Sequence, residues 1–264
     1  MDAVTTPEIL YLDNHLIVAV KPAGVLSQAD GSASPDMLSL LKEEIRRRYD
    51  KPGEVFLGLV HRLDQPVGGV MVFARTSKAA SRLSRQIRDR SLVKDYLAVV
   101  SGRPEPDQDT LTDTLVKDRS QNRVQVTADG SGKEAWLRYR RLASLDHPPH
   151  SLLAIRLGTG RAHQIRVQLS SRQWPLVGDR KYGPRTPDQQ APGNLALFAC
   201  GLGLVHPTRL EPLYFTAMPP HEAPWTDFDL HQLADIPLLW ADDLRSQNIH
   251  EEPREPVSEN SPVS

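Results

Sequence analysis

Residues Gly58 to Ala74 read GLVHRLDQPVGGVMVFA, and the rest of the chain is organised around them. Leu57, Leu59 and Val60 form one short apolar run, and Val70, Met71, Val72 and Phe73 form the next. Runs of this length with β-branched and aromatic members predict buried strands. The segment between them, His61 to Gly69, holds Pro66 and the pair Gly68-Gly69, so it must turn tightly. Asp64 is thus a carboxylate on a loop between two core strands, where a scaffold can fix a reactive group. Taken alone, the stretch favours a plainer role, in which Asp64 closes an Asx-turn or pairs with Arg62.

Upstream, Ile9 to Lys21 (ILYLDNHLIVAVK) predicts two strands around a turn at Asp13-Asn14-His15, ended by Pro22-Ala23-Gly24. Lys21 reads as a solvated strand end or, equally, as a phosphate contact. Ser34-Pro35 predicts a helix start, with Met37, Leu38, Leu41 and Ile45 at helical spacing. Arg46, Arg47 and Arg48 at its end suit the helix dipole, and could equally reach a nucleic acid.

Downstream, Ser77 is the expected cap of a helix over Lys78 to Arg90. Leu83 and Ile87 face inward there, and Lys78, Arg82, Arg85 and Arg88 face outward. Arg75 to Arg103 holds eight bases and two acids, the strongest basic cluster in the chain. Leu92 to Val100 predicts a strand carrying Tyr96, which by itself reads as a packing residue. Further strands are expected at Leu111 to Val116, Arg123 to Thr127, Ala135 to Leu145 and Leu152 to Leu157. Closing strands follow at Leu195 to Val205 and Leu210 to Phe215. His147 and His150 lie in a polar turn with no third ligand nearby, so no metal site is expected. Gly158-Thr159-Gly160 lacks the full Gly-x-Gly-x-x-Gly pattern, but it precedes an expected helix, Ala162 to Ser171, whose amides could face an anion.

Four blocks in this order resemble one family. His61-Arg62-Leu63-Asp64 followed by Gly and an apolar strand resembles the signature of the RluA-type pseudouridine synthases, which isomerise uridine in RNA. Lys21-Pro22-Ala23-Gly24 resembles the first motif of that family, Lys94-Asp95-Tyr96-Leu97-Ala98-Val99 the second, and Gly160-Arg161-Ala162-His163-Gln164-Ile165-Arg166 the third. Leu176 to Gly183 resembles a further block and reads as strand and turn. The likeness runs from about Ile9 to Phe215.

The resemblance implies that Asp64 is the catalytic nucleophile. It implies that Tyr96 stacks on the target base and serves the final proton transfer, and that Arg166 pairs with Asp64. It gives Arg62 a substrate role, and His61, Arg161, His163 and Gln164 are candidate substrate contacts beside it. Two departures stand out. Val67-Gly68-Gly69 replaces the usual Thr-Ser-Gly, and Gln168 stands where many members have His.

The fold implied is α+β: a mixed, largely antiparallel central sheet with flanking helices and a cleft across its middle. The first motif begins at Ile9, so the separate RNA-binding domain that precedes the catalytic domain in some members is expected to be absent. The expected organisation is a catalytic domain over 1–245 and a disordered acidic tail over 246–264. The expected activity is isomerisation of uridines in ribosomal or transfer RNA stem-loops. The chemistry requires no metal, nucleotide or redox cofactor. The alternative is a catalytically weak RNA-binding protein of the same fold.

Composition fits this expectation without deciding it. The 264 residues carry a formal net charge of −1. Ten acids and two bases lie from His221 to Ser264, leaving 30 Lys and Arg against 23 acids before them, a surplus of +7. A basic body is compatible with a phosphate backbone. One cysteine excludes an internal disulfide, and no run of eighteen apolar residues suggests a membrane span. A cytoplasmic monomer is expected.

Overall fold

A computed structural model describes residues 7–50, 52–118, 120–184, 194–230 and 240. The expected boundary at 245 and the tail 246–264 lie outside the described residues. Eleven strands form one sheet: β1 (Ile9–Leu12), β2 (Leu16–Lys21), β3 (Gly58–Leu59), β4 (Gly68–Ala74), β5 (Val93–Ser101), β6 (Gln108–Asp118), β7 (Arg123–Thr127), β8 (Lys133–Asp146), β9 (Pro149–Leu157), β10 (Leu197–Val205) and β11 (Pro212–Thr216). Their order is β1-β2-β4-β10-β5-β9-β8-β6-β7, with β3 beside β4 and β11 beside β10. β4 pairs with β10 in parallel, and the other pairings are antiparallel. Helices α1 (Met37–Tyr49), α2 (Ser77–Arg88) and α3 (Gln164–Ser170) complete the α+β architecture. No described helix is long and apolar enough to cross a membrane.

Strand periodicity divides the core into two faces. Ile17 and Ala19 of β2 and Met71 and Phe73 of β4 pack with Met37, Leu41 and Ile45 of α1. The alternate residues Leu16, Val18, Val70 and Val72 pack with Ala79 and Leu83 of α2 on the other face. All of β4 is buried. Leu63, Val67, Tyr96, Ile165 and Leu197 belong to the α1 side, so the Asp64 loop, the middle of β5 and α3 converge there.

Several element ends differ from expectation, for local reasons. The first helix is capped by Asp36, whose carboxylate accepts the Ser39 N–H at 3.1 Å, not by Ser34. Pro35 and Met37 exchange backbone bonds with Leu26, which holds the chain extended until Asp36. Thr76, one residue before Ser77, caps α2 through Ala79 N–H. α3 starts at Gln164, later than expected, because His163 is left-handed at φ 52° and ends the loop rather than entering the helix. β3 stops at Leu59 because the His61 ring, not a backbone carbonyl, takes the Val72 N–H at 3.0 Å.

The basic residues also sort themselves. Arg47 and Arg48 pair with buried Glu44 at 2.6 and 3.1 Å, and Arg46 pairs with Glu43. Arg82 donates to the Pro207 carbonyl. These four serve the chain itself. Gly69 has φ +129°, and a Cβ there would collide with the Ala199 backbone of β10. The Gly-Gly pair is therefore required by the parallel β4–β10 contact, while Val67 fills the core.

Candidate active site

Asp64 is held by its two neighbours. The buried Ser27 hydroxyl donates to the Leu63 carbonyl at 2.9 Å and accepts the Leu63 N–H at 3.1 Å. Gln65 is tied through its carbonyl to Gly24 N–H at 2.8 Å and to Lys21 Nζ at 3.0 Å. Lys21 is fully buried and also donates to the Pro22 and Val25 carbonyls at 3.0 and 2.5 Å. It is neither a solvated strand end nor a phosphate contact. Burial lowers its pKa to about 7, against the opposing pull of the Asp64 charge. Val67 N–H closes the turn on the Asp64 carbonyl at 3.0 Å. With residues 63, 65 and 67 fixed, the Asp64 side chain, 30% exposed, is held facing the open space.

That space is a cavity of about 730 Å³, within the usual range of roughly 300–1,000 Å³ for ligand sites. Asp64 is its single acidic lining residue, against six Lys and Arg. All eight candidate site residues line it.

Arg166 reaches Asp64 Oδ2 through one nitrogen, at 3.3 Å. Its planar fork is taken by another residue. Nε and the second terminal nitrogen donate to the two oxygens of Asp179, both at 2.8 Å. Burial alone would raise the Asp179 pKa, but the Arg166 fork and the N–H groups of Tyr182 and Lys181 outweigh it and hold the carboxyl below its usual range. The expected pair is thus a chain, Asp64–Arg166–Asp179.

His163 is the second group beside Asp64. Its Nε2 lies 3.8 Å from Asp64 Oδ2, and its Nδ1 lies 2.7 Å from the Tyr182 hydroxyl. The Tyr182 oxygen accepts Val124 N–H at 2.8 Å. Its own hydrogen can then go to Nδ1, which places the imidazole proton on Nε2, toward Asp64. Burial lowers the His163 pKa, with the Asp64 charge opposing, and this suits the neutral ring.

Tyr96 lies on the cavity floor, and its hydroxyl has no partner among the described residues. Burial first, then the Asp64 charge, pushes its pKa up. It therefore stays protonated at neutral pH, and an ionised Tyr96 acting as the base is disfavoured. Asp95 points to the other face, where Arg156 grips it at 2.7 Å twice and the Tyr214 hydroxyl donates at 2.5 Å.

Two candidates are engaged by the protein itself. Gln164 is buried, accepts from the Thr159 hydroxyl at 2.8 Å and Arg161 N–H at 3.0 Å, and donates to the Trp136 carbonyl at 3.0 Å. It holds the Gly158–Arg161 loop rather than a substrate. His61 uses Nε2 on Val72, and burial, aided by Lys94, lowers its pKa to about 4. Arg161 donates from Nε to the Glu134 carbonyl at 2.9 Å, and Arg62 stands exposed. Among the described residues no group of His, Cys, Asp and Glu is placed to hold a metal.

The sequence model of the family described as RNA pseudouridylate synthase matches residues 15–171, which include Asp64, Tyr96 and Arg166. The chain belongs to that family. It is 32% identical over 223 residues to ribosomal large subunit pseudouridine synthase D of Zymomonas mobilis, covering 81% of this chain and 70% of that protein. It is 35% identical to the protein of the same name from Nitrosomonas europaea, covering 76% of this chain and 58% of that one. The solved structure of human RNA pseudouridylate synthase domain containing 4 superposes with a TM-score of 0.69 at 25% identity, covering 86% of this chain and 92% of that chain.

Within the family frame, Asp179 is the residue that reading the motifs missed. It lies beyond the matched segment, in the Leu176–Gly183 block read as strand and turn. An Asp next to Gly in a turn gives no local sign that it ligates an arginine. The signal available was a shared block whose polar residue had no stated task.

Proposed function

We propose that the chain is an RNA pseudouridine synthase that uses Asp64 as nucleophile, with Arg166 and His163 orienting it, Tyr96 under the base and Arg62 at the rim. The observation that carries this reading is the single carboxylate among the described lining residues, fixed by its neighbours and facing a nucleotide-sized cavity that also carries six Lys and Arg. The names of the relatives from Zymomonas and Nitrosomonas support large-subunit ribosomal RNA as the substrate.

The target base must leave the RNA stack to enter, at a cost of a few kcal/mol. Exposed Arg62 is positioned to brace the vacated space. Asp64 attacks sugar carbon 1′ as the bond to nitrogen 1 breaks. The uracil turns over Tyr96, carbon 5 bonds to carbon 1′, and the carboxylate leaves. Net, one proton moves from carbon 5 to nitrogen 1, and nothing else is consumed. Tyr96, being protonated, can serve this transfer as a relay through its hydroxyl. The apolar walls, Val60, Leu157 and Leu197 among them, keep water from the detached base.

Asp64→Asn keeps the shape and removes the charge. We expect pseudouridine formation on a uridine-containing stem-loop to fall by about a thousandfold or more, with the melting temperature and RNA affinity nearly kept. Turnover within tenfold of wild type, or release of free uracil by the wild-type protein, defeats the assignment.

A further inference from the structure

The cavity is also lined by cations that have no hydrogen bond or ion pair among the described residues. Lys94 and Tyr96 lie two residues apart on β5, so both side chains stand on the same face, about 6–7 Å apart along the strand. Asp95 between them points away to Arg156 and Tyr214. Lys94 has no hydrogen bond or ion pair among the described residues, yet it lines the cavity and is substantially desolvated. Gly160 leaves it room, since a Cβ there would stand 3.0 Å from Nζ. Arg88, in the last turn of α2, and Arg90, just beyond, line the same cavity, and their side chains also lack a partner among the described residues. The contrast with the other cavity cations is specific: Arg166 is held by Asp179 and Asp64, and Arg161 by the Glu134 carbonyl.

We propose that Lys94, with Arg88 and Arg90 lining the same cavity, forms an anion subsite that binds a phosphodiester flanking the target uridine. This rests on the RNA pseudouridine synthase reading and assigns it a binding group. Three cavity cations without an ion pair among the described residues suit a full negative charge better than a base carbonyl. The neighbouring Tyr96 leaves the base to its own ring. Burial lowers the Lys94 pKa, and a phosphate seated there would hold the ammonium charged.

The test uses full-length protein and a uridine-containing stem-loop, with one methylphosphonate placed on either side of the target uridine to remove one phosphate charge. Lys94→Met should raise Kd about tenfold and reduce the salt slope by about one phosphate contact, with KM rising more than kcat falls. In wild type, one of the two methylphosphonates should weaken binding by a similar factor, and in Lys94→Met that loss should vanish. Gly160→Ala keeps the charge and crowds Nζ, so it should raise Kd by a smaller factor. It also covers the case in which Lys94→Met melts well below wild type. The subsite is overturned if Kd and slope are unchanged, or if the losses from mutation and methylphosphonate add at both positions. A wild-type protein that binds the stem-loop but forms no pseudouridine sinks the functional reading itself, which the same assay separates from loss of the subsite alone.

Discussion

The two sides of the cavity differ in how their charges are spent. On the α3 side, Arg166 is locked onto Asp179 at 2.8 Å twice, and His163 is held by Tyr182 at 2.7 Å. On the β5 side, Lys94, Arg88 and Arg90 have no partner among the described residues. Paired charges can hold a reactive group in one orientation, because moving them breaks bonds already made. Unpaired charges in a cleft hold nothing until a ligand of opposite sign arrives. On the proposed reading the α3 side serves the chemistry and the β5 side serves capture. One short loop supports the first: Asp179 and Tyr182 come from the same turn, and they orient the two groups nearest Asp64.

The sharpest way to break this comparison is at Arg166. Arg166→Lys keeps a charge but cannot grip Asp179 with a fork and reach Asp64 together. A fall in kcat of about a hundredfold or more is expected, with little loss of RNA affinity. Arg161→Lys, which loses one bond to the Glu134 carbonyl, should be milder. Single-turnover kinetics at saturating enzyme compares the two. Wild-type rates for Arg166→Lys would show that orientation of Asp64 does not depend on it. Asp179→Asn is next in size. Removing one partner of a buried pair destabilises by about 3–5 kcal/mol, and Asn still accepts one bond, so the rate should fall by about tenfold, with a lower melting temperature. A variant as stable and active as wild type would remove Asp179 from the support of the site.

Much of this was legible in the sequence, and the omissions have a common cause. The strand after Asp64 was visible because β4 is buried on both faces and must be apolar throughout, whereas β3 before it is only two half-buried residues. The motifs placed Asp64, Tyr96 and Arg166 in one site because each occupies a distinct block. What a motif string does not carry is the direction of a side chain. Arg166 and Asp179 are thirteen residues apart, and only the fold turns the fork toward Asp179. Gln164 and His61 sit inside their motifs, yet their polar atoms satisfy the backbone at Trp136, Arg161 and Val72. Lys21 looked like a surface charge because a strand end is usually wet. The shape of the following loop, which brings three carbonyls onto one ammonium, is set by tertiary contact.

Lys21 makes a smaller, pH-dependent prediction on the capture-versus-chemistry divide, since it is a cation spent wholly on holding the Asp64 loop. Its pKa is lowered from 10.5 to about 7 in the folded protein. Between those values the unfolded chain binds the proton and the folded one does not, so stability from this group rises with pH across that window and is flat below it. Lys21→Met lacks the term. Melting temperatures at pH 6.5, 8 and 9.5 should therefore show wild type gaining on the variant by a few degrees as pH rises. A constant difference would mean that Lys21 keeps its proton throughout, held by its three carbonyls.

The smallest expected effect separates two arginines on one helix. Arg82 and Arg88 both belong to the basic segment Arg75 to Arg103, and the sequence pattern turned both outward alike. The structure spends Arg82 on the Pro207 carbonyl in the turn between β10 and β11, whereas Arg88 lines the cavity. A guanidinium bonded to its own backbone must give up that bond to meet a phosphate, so little is gained from the exchange. Arg82→Gln should change Kd for the stem-loop by less than about twofold and leave the salt slope alone, while slightly lowering the melting temperature. Arg88→Gln should do the reverse, weakening binding several-fold and reducing the slope by up to about one unit, with stability kept. Both variants lose one positive charge from the same helix, so a general effect of net charge would move them together. Equal slopes for the two would mean that RNA senses the helix as a diffuse field, and the division between engaged and waiting cations would no longer describe how this chain binds it.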